Sequence, residues 1–270
     1  MLRTAAGPGK RRTWLGSALF LCLLAAGCSA EAPVATLAGI CAAVDPERLE
    51  PAVVEGVHDG DTLRLRGGDR LRLIGINTPE LARDGRPAEP GAAAARRSLG
   101  DLVEDGRVWL QGGKDERDRY GRRLAWAFDR DGRSLSGALL RQGRGFHVAV
   151  SPNTAYADCL AEEEASARER GLGVWGEPAF RARRVAELEP GQAGFQRLRD
   201  EVTHVSFKDN GWWLQLGGKV GLRIRSGSQG LFSRARLKDL HGHTVEVRGW
   251  LIPRDGDWWM MNLDHPSMLQ

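Results

Sequence analysis

The feature that most constrains the fold of this chain is a run of short, alternating apolar segments that occurs twice. The segments of the first copy are residues 52–57, 62–66 and 70–76, and those of the second are residues 202–207, 212–216 and 220–225. Glycine turns separate them, at Gly60 and Gly67-Gly68 in the first copy and at Gly211 and Gly217-Gly218 in the second. Alternating segments of this length joined by tight turns are typical of an antiparallel meander. The chain is therefore predicted to contain two small β units.

Each β unit is completed by two further strands and by helices. The later elements of the first unit are a helix at 92–103, a strand at 108–110, a charged loop at 112–122, a strand at 123–128 and helices at 134–142 and 154–170. In the second unit a helix at 232–240 precedes strands at 244–253 and 258–263. This order is typical of an OB-type barrel. We predict an α+β, mainly β fold, with a five-stranded OB barrel and three helices (51–178), a linker (179–194) and a second, smaller OB-like barrel (195–270).

The N-terminus has the features of an export signal. Lys10, Arg11 and Arg12 precede an apolar run at residues 14–26, which is short for a membrane span and ends in small residues before Cys28. This pattern resembles a bacterial lipobox. It predicts a signal peptide at 1–27, lipidation of Cys28 and a tether at 28–50. The protein is then expected to be an exported lipoprotein of the cell envelope, anchored to a membrane or at the cell surface.

The net charge gives no argument for a nucleic-acid partner. The formal charge of +4 and the pI near 9.1 suggest a basic protein. However, the predicted signal peptide holds four basic residues and no acidic one, so that 35 basic and 35 acidic residues remain. Residues 28–180 are acidic on balance and residues 181–270 are basic. Any basic surface is therefore expected on the second unit.

Two cysteines remain once Cys22 leaves with the signal peptide and Cys28 carries lipid. In an oxidising compartment Cys41 and Cys159 either form a disulfide or stay as two free thiols, and the sequence leaves both alternatives open. No Cys/His spacing typical of a structural zinc site is present in the sequence.

Polar residues gather at the strand ends of the first unit. Asp59 and Asp61 flank a glycine at a strand junction, and Arg72 and Asn77 bracket the third strand, so that both are expected near one mouth of the barrel. Carboxylate, amide and carbonyl oxygens are ligands for Ca²⁺ or Mg²⁺. Arginine side chains bind phosphate in a bidentate manner, and a free carboxylate beside them activates water. These residue types together favour metal-assisted phosphate chemistry.

Three segments carry a family resemblance. They are Asp59-Gly60-Asp61-Thr62, the run from Arg72 to Glu80 (RLIGINTPE) and Asp118-Arg119-Tyr120-Gly121-Arg122. In this order they resemble the staphylococcal nuclease family, over roughly residues 52–176. The resemblance implies a Ca²⁺-dependent phosphodiesterase that acts on DNA or RNA, without a small-molecule cofactor, and we expect a monomer.

The resemblance also implies residue roles. Asp61, Asn77 and the Thr78 backbone carbonyl would bind the metal. Glu80 would be the general base, and Arg72 and Arg122 would bind the scissile phosphate. Asp59, Asp118 and Tyr120 would contact these residues and hold them in place, without binding the metal directly.

The sequence departs from the family pattern at two places. Asn77 stands where the best-known member has an aspartate ligand, so we predict weaker Ca²⁺ binding. Val148 and Val150 stand near the position of tyrosines that pack the terminal nucleotide in that member. The alternative function is therefore that of a binding module that is catalytically weak or inactive. It would be an OB module anchored in the cell envelope that binds nucleic acid or protein.

The second unit is rich in tryptophan and lacks the polar motifs of the first. Its adjacent pairs are Trp212-Trp213 and Trp258-Trp259. Adjacent strand residues point to opposite faces, so at least one member of each pair is expected in the core. The four indoles pack the core, form a platform on which nucleic-acid bases stack, or bind a protein or another component of the envelope, and the sequence leaves these alternatives open.

Overall fold

A computed structural model describes Cys41, Glu47 and residues 49–270. The predicted signal peptide, Cys28 and most of the predicted tether lie outside these residues. Within them, the chain forms two closed five-stranded barrels and a few helices, which confirms the predicted fold class. No helix in the described part of the chain is long and apolar enough to cross a membrane.

The first barrel closes in the order β1-β2-β3-β6-β5. Its strands are β1 (Glu50–Val57), β2 (Thr62–Leu65), β3 (Arg70–Leu73), β5 (Arg107–Arg117) and β6 (Arg123–Phe128). β3 pairs with β6 in parallel, and the other neighbours pair antiparallel. Leucines at alternate positions of β2 and β3 point inward and are fully or almost fully buried, which explains why the alternation in the sequence located these strands.

Three helices and one small sheet surround this barrel. The helices are α1 (Ala92–Leu102), α2 (Leu135–Arg141) and α3 (Ala157–Glu169). Ser134 caps α2, because its side chain accepts a hydrogen bond from the Gly137 backbone N–H. The small sheet pairs β4 (Ile76–Asn77) with β7 (Phe146–His147), and it fixes the chain just after the third barrel strand.

The second barrel repeats the pairing of the first. Its strands are β8 (Gly194–Lys208), β9 (Gly211–Leu216), β10 (Val220–Ile224), β11 (Thr244–Arg254) and β12 (Trp258–Asn262). They close in the order β10-β12-β11-β8-β9, with β10 parallel to β12. α4 (Arg234–Asp239) precedes the fourth strand, as predicted.

Two strands are longer than the sequence predicted. β5 continues to Arg117 through the segment predicted as a charged loop, where its side chains are mostly exposed. β8 begins at Gly194, eight residues before the predicted start. Residues 194–201 pair with β11 and residues 202–208 pair with β9. Charged residues within both extensions weaken the alternation that identifies a half-buried strand, so only the pairing reveals them.

A disulfide joins Cys41 to Cys159 in α3. Cys41 and Leu49 both belong to the region predicted as a tether, yet both are buried in the core of the first barrel. The disulfide therefore attaches the segment before β1 to the folded domain.

The segment between the barrels is packed rather than extended. Short 3-10 turns lie at Pro178–Phe180 and Val185–Glu187. Val185 is buried in the core of the second barrel, and the Arg183 backbone exchanges hydrogen bonds with Arg197 and Arg199 of β8.

A buried interface joins the two barrels. Val148, Ala149 and Ala157 belong to the same apolar cluster as the interior of the second barrel. At its centre Glu164 of α3 pairs with Arg248 of β11, with Oε2 and Nη2 2.6 Å apart and both side chains almost fully buried. The barrels therefore share part of one core.

Candidate active site

Asp61 is the central carboxylate of the first barrel's mouth, and it is only 5% exposed. Its Oδ2 accepts hydrogen bonds from the backbone N–H and the Oγ1 of Thr78, at 3.0 and 3.1 Å. Its Oδ1 accepts one from Thr62 Oγ1 at 3.1 Å. A Cβ at Gly60 would lie 2.6 Å from Thr78 Oγ1, so glycine lets the turn approach the Thr78 segment. The Asp-Gly-Asp motif is therefore built for this contact.

Arg72 lies between Asp61 and Asn77. Its Nε is 3.1 Å from Asp61 Oδ1, and its Nη2 is 3.4 Å from Asn77 Oδ1. Nη1 donates to the backbone carbonyls of Leu73 and Ile76, at 2.6 and 2.8 Å. The strand end that carries Arg72 therefore also orients it, and the guanidinium is held at the mouth.

Arg122 approaches Asp61 from the other side. Its Nη1 donates to Thr62 Oγ1 at 3.4 Å, and its Nε donates to Asp118 Oδ2 at 2.7 Å. Partial burial alone would raise the pKa of Asp118, but hydrogen bonds from the Arg122 side chain and from two backbone N–H groups lower it. Asp118 therefore remains charged and orients Arg122. Arg122 is therefore linked to Arg72 by a chain of polar contacts that runs through Thr62 and Asp61.

The Tyr120 side chain is 65% exposed, so it is not part of the barrel core. The guanidinium groups of Arg119 and Arg122 lie over its ring, at 4.7 and 5.6 Å from the centroid. Arg119 was not among the predicted site residues, although it is part of the same motif. Tyr120 and the two arginines form one exposed cationic edge beside the mouth.

Glu80 lies at the rim in an exposed position. Neighbouring protein atoms displace part of the water around its carboxyl, which raises the pKa of Glu80 above the ordinary value. The negative charges of Asp61 and Asp59 raise this pKa further. Burial and the Asp61 charge likewise raise the pKa of Asp59, whose Oδ1 accepts a hydrogen bond from the Asp61 backbone N–H. A carboxylate with a raised pKa is a stronger base, which suits proton abstraction.

Glu89, which sequence reasoning missed, fixes the backbone at Glu80. Its Oε2 accepts a hydrogen bond from the Glu80 N–H at 2.9 Å, and its own N–H donates to the Glu80 carbonyl at 2.9 Å. No motif marks Glu89, because its role depends on the path of the loop.

His147 is fully buried. One ring nitrogen lies 3.0 Å from the Gly75 carbonyl and the other lies 3.0 Å from Ser267 Oγ of the second barrel. Burial lowers its pKa to about 3, so the ring is neutral at neutral pH. His147 thus connects the second barrel to the strand end that leads to Asn77.

The oxygen donors at the mouth are those that a hard divalent cation prefers. They are the Asp61 carboxylate and the Asn77 amide, with the Thr78 carbonyl next in the chain. Across the described residues, no group of three or more His, Cys, Asp or Glu side chains is arranged to hold a metal. The donor chemistry therefore fits Ca²⁺ or Mg²⁺, but the site relies on one buried carboxylate and on neutral oxygens.

Comparison with known proteins agrees with this geometry. Residues 70–177 match the family model described as staphylococcal nuclease homologue. The chain is 30% identical over 131 residues to the thermonuclease of Staphylococcus intermedius, a match that covers 47% of this chain and 77% of that protein. The chain belongs to the staphylococcal nuclease family. The family region contains seven of the predicted nuclease-site residues, Arg72, Asn77, Thr78, Glu80, Asp118, Tyr120 and Arg122, whereas Asp59 and Asp61 precede it.

Two endonucleases of Bacillus subtilis are also similar to this member of the staphylococcal nuclease family. The SPbeta prophage-derived endonuclease YokF and the endonuclease YncB are each 30% identical to it over 139 residues, or 50% of this chain. The match spans 47% of YokF and 65% of YncB. The second barrel lies outside the family region.

The four tryptophans that were predicted as a possible platform take two kinds of position in this nuclease-family chain. Trp259 is buried and donates to the Gln192 carbonyl, and Trp212 packs against the same core. One member of each adjacent pair is thus part of the core or packed on it, as expected. Trp213 is half-buried and Trp258 is 43% exposed, and both line a groove. Of the two valines that stand near the position of the family's tyrosines, Val148 is buried in the apolar cluster of the second barrel and Val150 is exposed.

Proposed function

We propose that this chain is an exported, metal-dependent endonuclease that hydrolyses phosphodiester bonds of DNA or RNA at the mouth of the first barrel. The observation that carries the proposal is the convergence of two guanidinium groups on Asp61. Arg72 contacts it directly and Arg122 reaches it through Thr62, with Glu80 at the rim. A pair of fixed cations beside a free carboxylate suits a phosphate that is attacked by water.

Each group has a distinct task in the proposed reaction. The carboxylate of Glu80 takes a proton from the attacking water. Arg72 and Arg122 bind the phosphate oxygens and stabilise the charge that builds on them as the phosphorus–oxygen ester bond breaks. Their fixed contacts limit reorganisation, since Arg72 is held by backbone carbonyls and Arg122 by Asp118.

Asp61, Asn77 and the Thr78 carbonyl would hold the divalent cation, with Ca²⁺ as the first candidate. When bound, the cation would offset the negative charge of the phosphate and orient it. Asp59 would support Asp61 through the hydrogen bond to its backbone N–H.

The test is cleavage of single-stranded DNA by the full chain in Ca²⁺, in Mg²⁺ and in chelator. We expect cleavage that requires the cation, and Glu80→Gln is expected to lower turnover roughly 10² to 10⁴-fold with little effect on folding. Glu104→Gln, at an exposed position away from the mouth, is the matched control. A mild effect of Glu80→Gln would remove Glu80 as the base.

A binding module without catalysis is the second candidate, and Asn77 favours it. The amide removes one negative charge from the cation site. Retained DNA binding with no cleavage in either metal would support this candidate and refute the proposed enzyme.

The lipid anchor belongs to the same proposal, although Cys28 lies outside the described residues. Cys28→Ser is expected to release the chain from membranes in fractionated cells. A variant that stays in the membrane fraction would refute lipidation.

A further inference from the structure

The second barrel has an open groove of about 440 Å³ on its outer face. It is lined mainly by Trp213, Trp258, His204, Gln215, Arg254 and Met260. Its surface is mostly apolar, and three tryptophans line it: Trp213, Trp258 and the buried Trp259. No residue of this groove belongs to the site of the first barrel.

The groove occupies the face that corresponds to the candidate active site. In the first barrel, Thr62 of β2 is opposite Arg72 of β3. In the second barrel, Trp213 of β9 is opposite Arg223 of β10 at the corresponding rung, and Leu214 opposite Leu222 repeats Leu63 opposite Leu71. In OB folds the second and third strands and the adjoining loops form the usual ligand face.

The Trp213 indole lies against β10 at Gly221. A Cβ at Gly221 would lie 3.4 Å from the six-membered ring of Trp213, which is an ordinary contact distance. The ring therefore covers the strand at this position and forms one wall of the groove. Trp258, 43% exposed at the start of β12, supplies the second aromatic surface.

The charges around the groove favour an anion. The Arg223 guanidinium lies 5.5 Å from the centre of the Trp213 ring, and Arg254 lines the groove. None of the nine described residues that line it is acidic, and within the described chain neither arginine forms an ion pair with a carboxylate. The buried Nε of Arg223 has no hydrogen-bond partner among the described residues, whereas the Nε of Arg72 is paired with Asp61.

From these observations we infer that the groove binds a single-stranded stretch of nucleic acid, with bases stacked on Trp213 and Trp258 and phosphates near Arg223 and Arg254. Indole faces beside unpaired arginines are the combination that binds unpaired nucleotides without sequence preference. The proposal rests on the proposed function only in taking nucleic acid as the ligand. The exposed Asp255 and Asp257 in the turn before β12 would keep phosphates away from that end of the groove.

The test measures binding of the full chain to a fluorescein-labelled oligothymidylate in chelator, where the proposed cleavage stops. Trp258→Ala is expected to weaken binding by roughly 5 to 150-fold, the effect of losing one stacked base. Trp250→Ala is the matched control, since Trp250 is also an exposed tryptophan of this barrel but does not line the groove. An abasic oligomer of equal length should bind both variants equally, because it keeps the phosphates and lacks the bases.

Equal affinities of Trp258→Ala and the unaltered chain for oligothymidylate would overturn the proposal, as would an equal loss in Trp250→Ala. Photocrosslinking with 5-iodouracil oligomers gives a second measurement that does not depend on a folded variant. Crosslinks at Trp213 or Trp258 support the groove, and crosslinks confined to the first barrel overturn it. Failure of the groove leaves cation-dependent cleavage intact, whereas failure of the proposed enzyme abolishes cleavage and leaves these binding measurements interpretable.

Discussion

The two barrels have the same strand pairing but different chemistry at their corresponding faces. In the first, the strand pair that holds Thr62 and Arg72 lies beside Asp61, and both oxygens of that carboxylate have polar partners. In the second, the corresponding rung holds Trp213 and Arg223, and the arginine has an aromatic ring in place of a carboxylate. One scaffold thus supports a polar, preorganised pocket in one copy and an open aromatic groove in the other.

The difference shows where function resides in this fold. The leucines of the paired strands are buried in both copies and specify the barrel. The outward residues of the same strands differ between the two copies, because the barrel does not depend on them. Under the two proposals above, the first copy cleaves the phosphodiester bond and the second copy binds the single strand.

The largest expected effect is on the joint stability of the barrels. Arg248→Ala leaves Glu164 buried without its cation, and Glu164 also accepts the His147 backbone N–H at 2.6 Å. We expect a loss of about 3–5 kcal/mol in the free energy of unfolding, seen as one cooperative transition in urea. Arg236→Ala, at an exposed position on α4, is the matched control.

Two outcomes would contradict this account of the interface. Separate transitions for the two barrels would show that they fold independently, and a loss no greater than that of Arg236→Ala would show that the pair is dispensable. Replacing both partners with apolar residues, as Glu164→Leu with Arg248→Met, should recover most of the stability, because no buried charge is then left unpaired.

The next largest effect should distinguish Arg72 from Arg223, the arginines at corresponding strand positions in the two barrels. Arg72→Gln removes a fixed donor from the proposed phosphate site and is expected to lower turnover roughly 10² to 10³-fold. Arg223→Gln should leave turnover on short substrates unchanged and weaken oligothymidylate binding in chelator. Parallel rate and anisotropy measurements on both variants check this. Equal losses of turnover would mean that the two faces are not functionally distinct.

A smaller effect concerns pH and His147, which ties the first barrel to Ser267 of the second. Its pKa is about 3 in the folded chain and about 6.5 when unfolded, so below pH 6.5 only the unfolded chain takes up the proton. The stability contributed by the neutral ring is present above pH 6.5 and is lost as the pH falls towards 3, by roughly 1.4 kcal/mol per pH unit.

Urea unfolding at several pH values measures this effect as a difference between chains. The unaltered chain should lose its stability advantage over His147→Gln as the pH falls below 6.5. His241→Gln, at an exposed position, provides the control. A constant difference between the unaltered chain and His147→Gln would show that His147 takes up its proton in the folded state as well.

Local patterns in the sequence predicted both barrels and the meeting of Arg72 and Asn77 at one mouth. Period-two alternation marks a strand wherever one face is buried, as at Leu63, Leu65, Leu71 and Leu73. The site was predictable for a similar reason, since Asp61, Arg72 and Asn77 lie at the ends of neighbouring strands, which a closed barrel brings to one mouth.

Other features depend on contacts between distant residues and leave no local pattern. The first half of β8 is rich in charged residues, and its pairing with β11 gives it a strand conformation. Glu89 and the Glu164–Arg248 pair likewise look like ordinary surface charges in the sequence, because their partners lie far away in the chain. The internal repeat indicated the second barrel but not the interface that joins it to the first.

The smallest expected effect concerns the negative charge at the mouth of the first barrel. Asn77→Asp adds a second carboxylate close to Asp61, and the site then attracts a divalent cation more strongly. Calorimetric titration with Ca²⁺ alone is expected to show roughly tenfold tighter binding, since each added ligand charge strengthens a hard-cation site. Asn210→Asp, in the turn between β8 and β9 of the second barrel, is the control and should leave the titration unchanged. An unaltered Ca²⁺ affinity in Asn77→Asp would exclude residue 77 from the cation site, and the first barrel would then hold its cation through Asp61 and backbone oxygens.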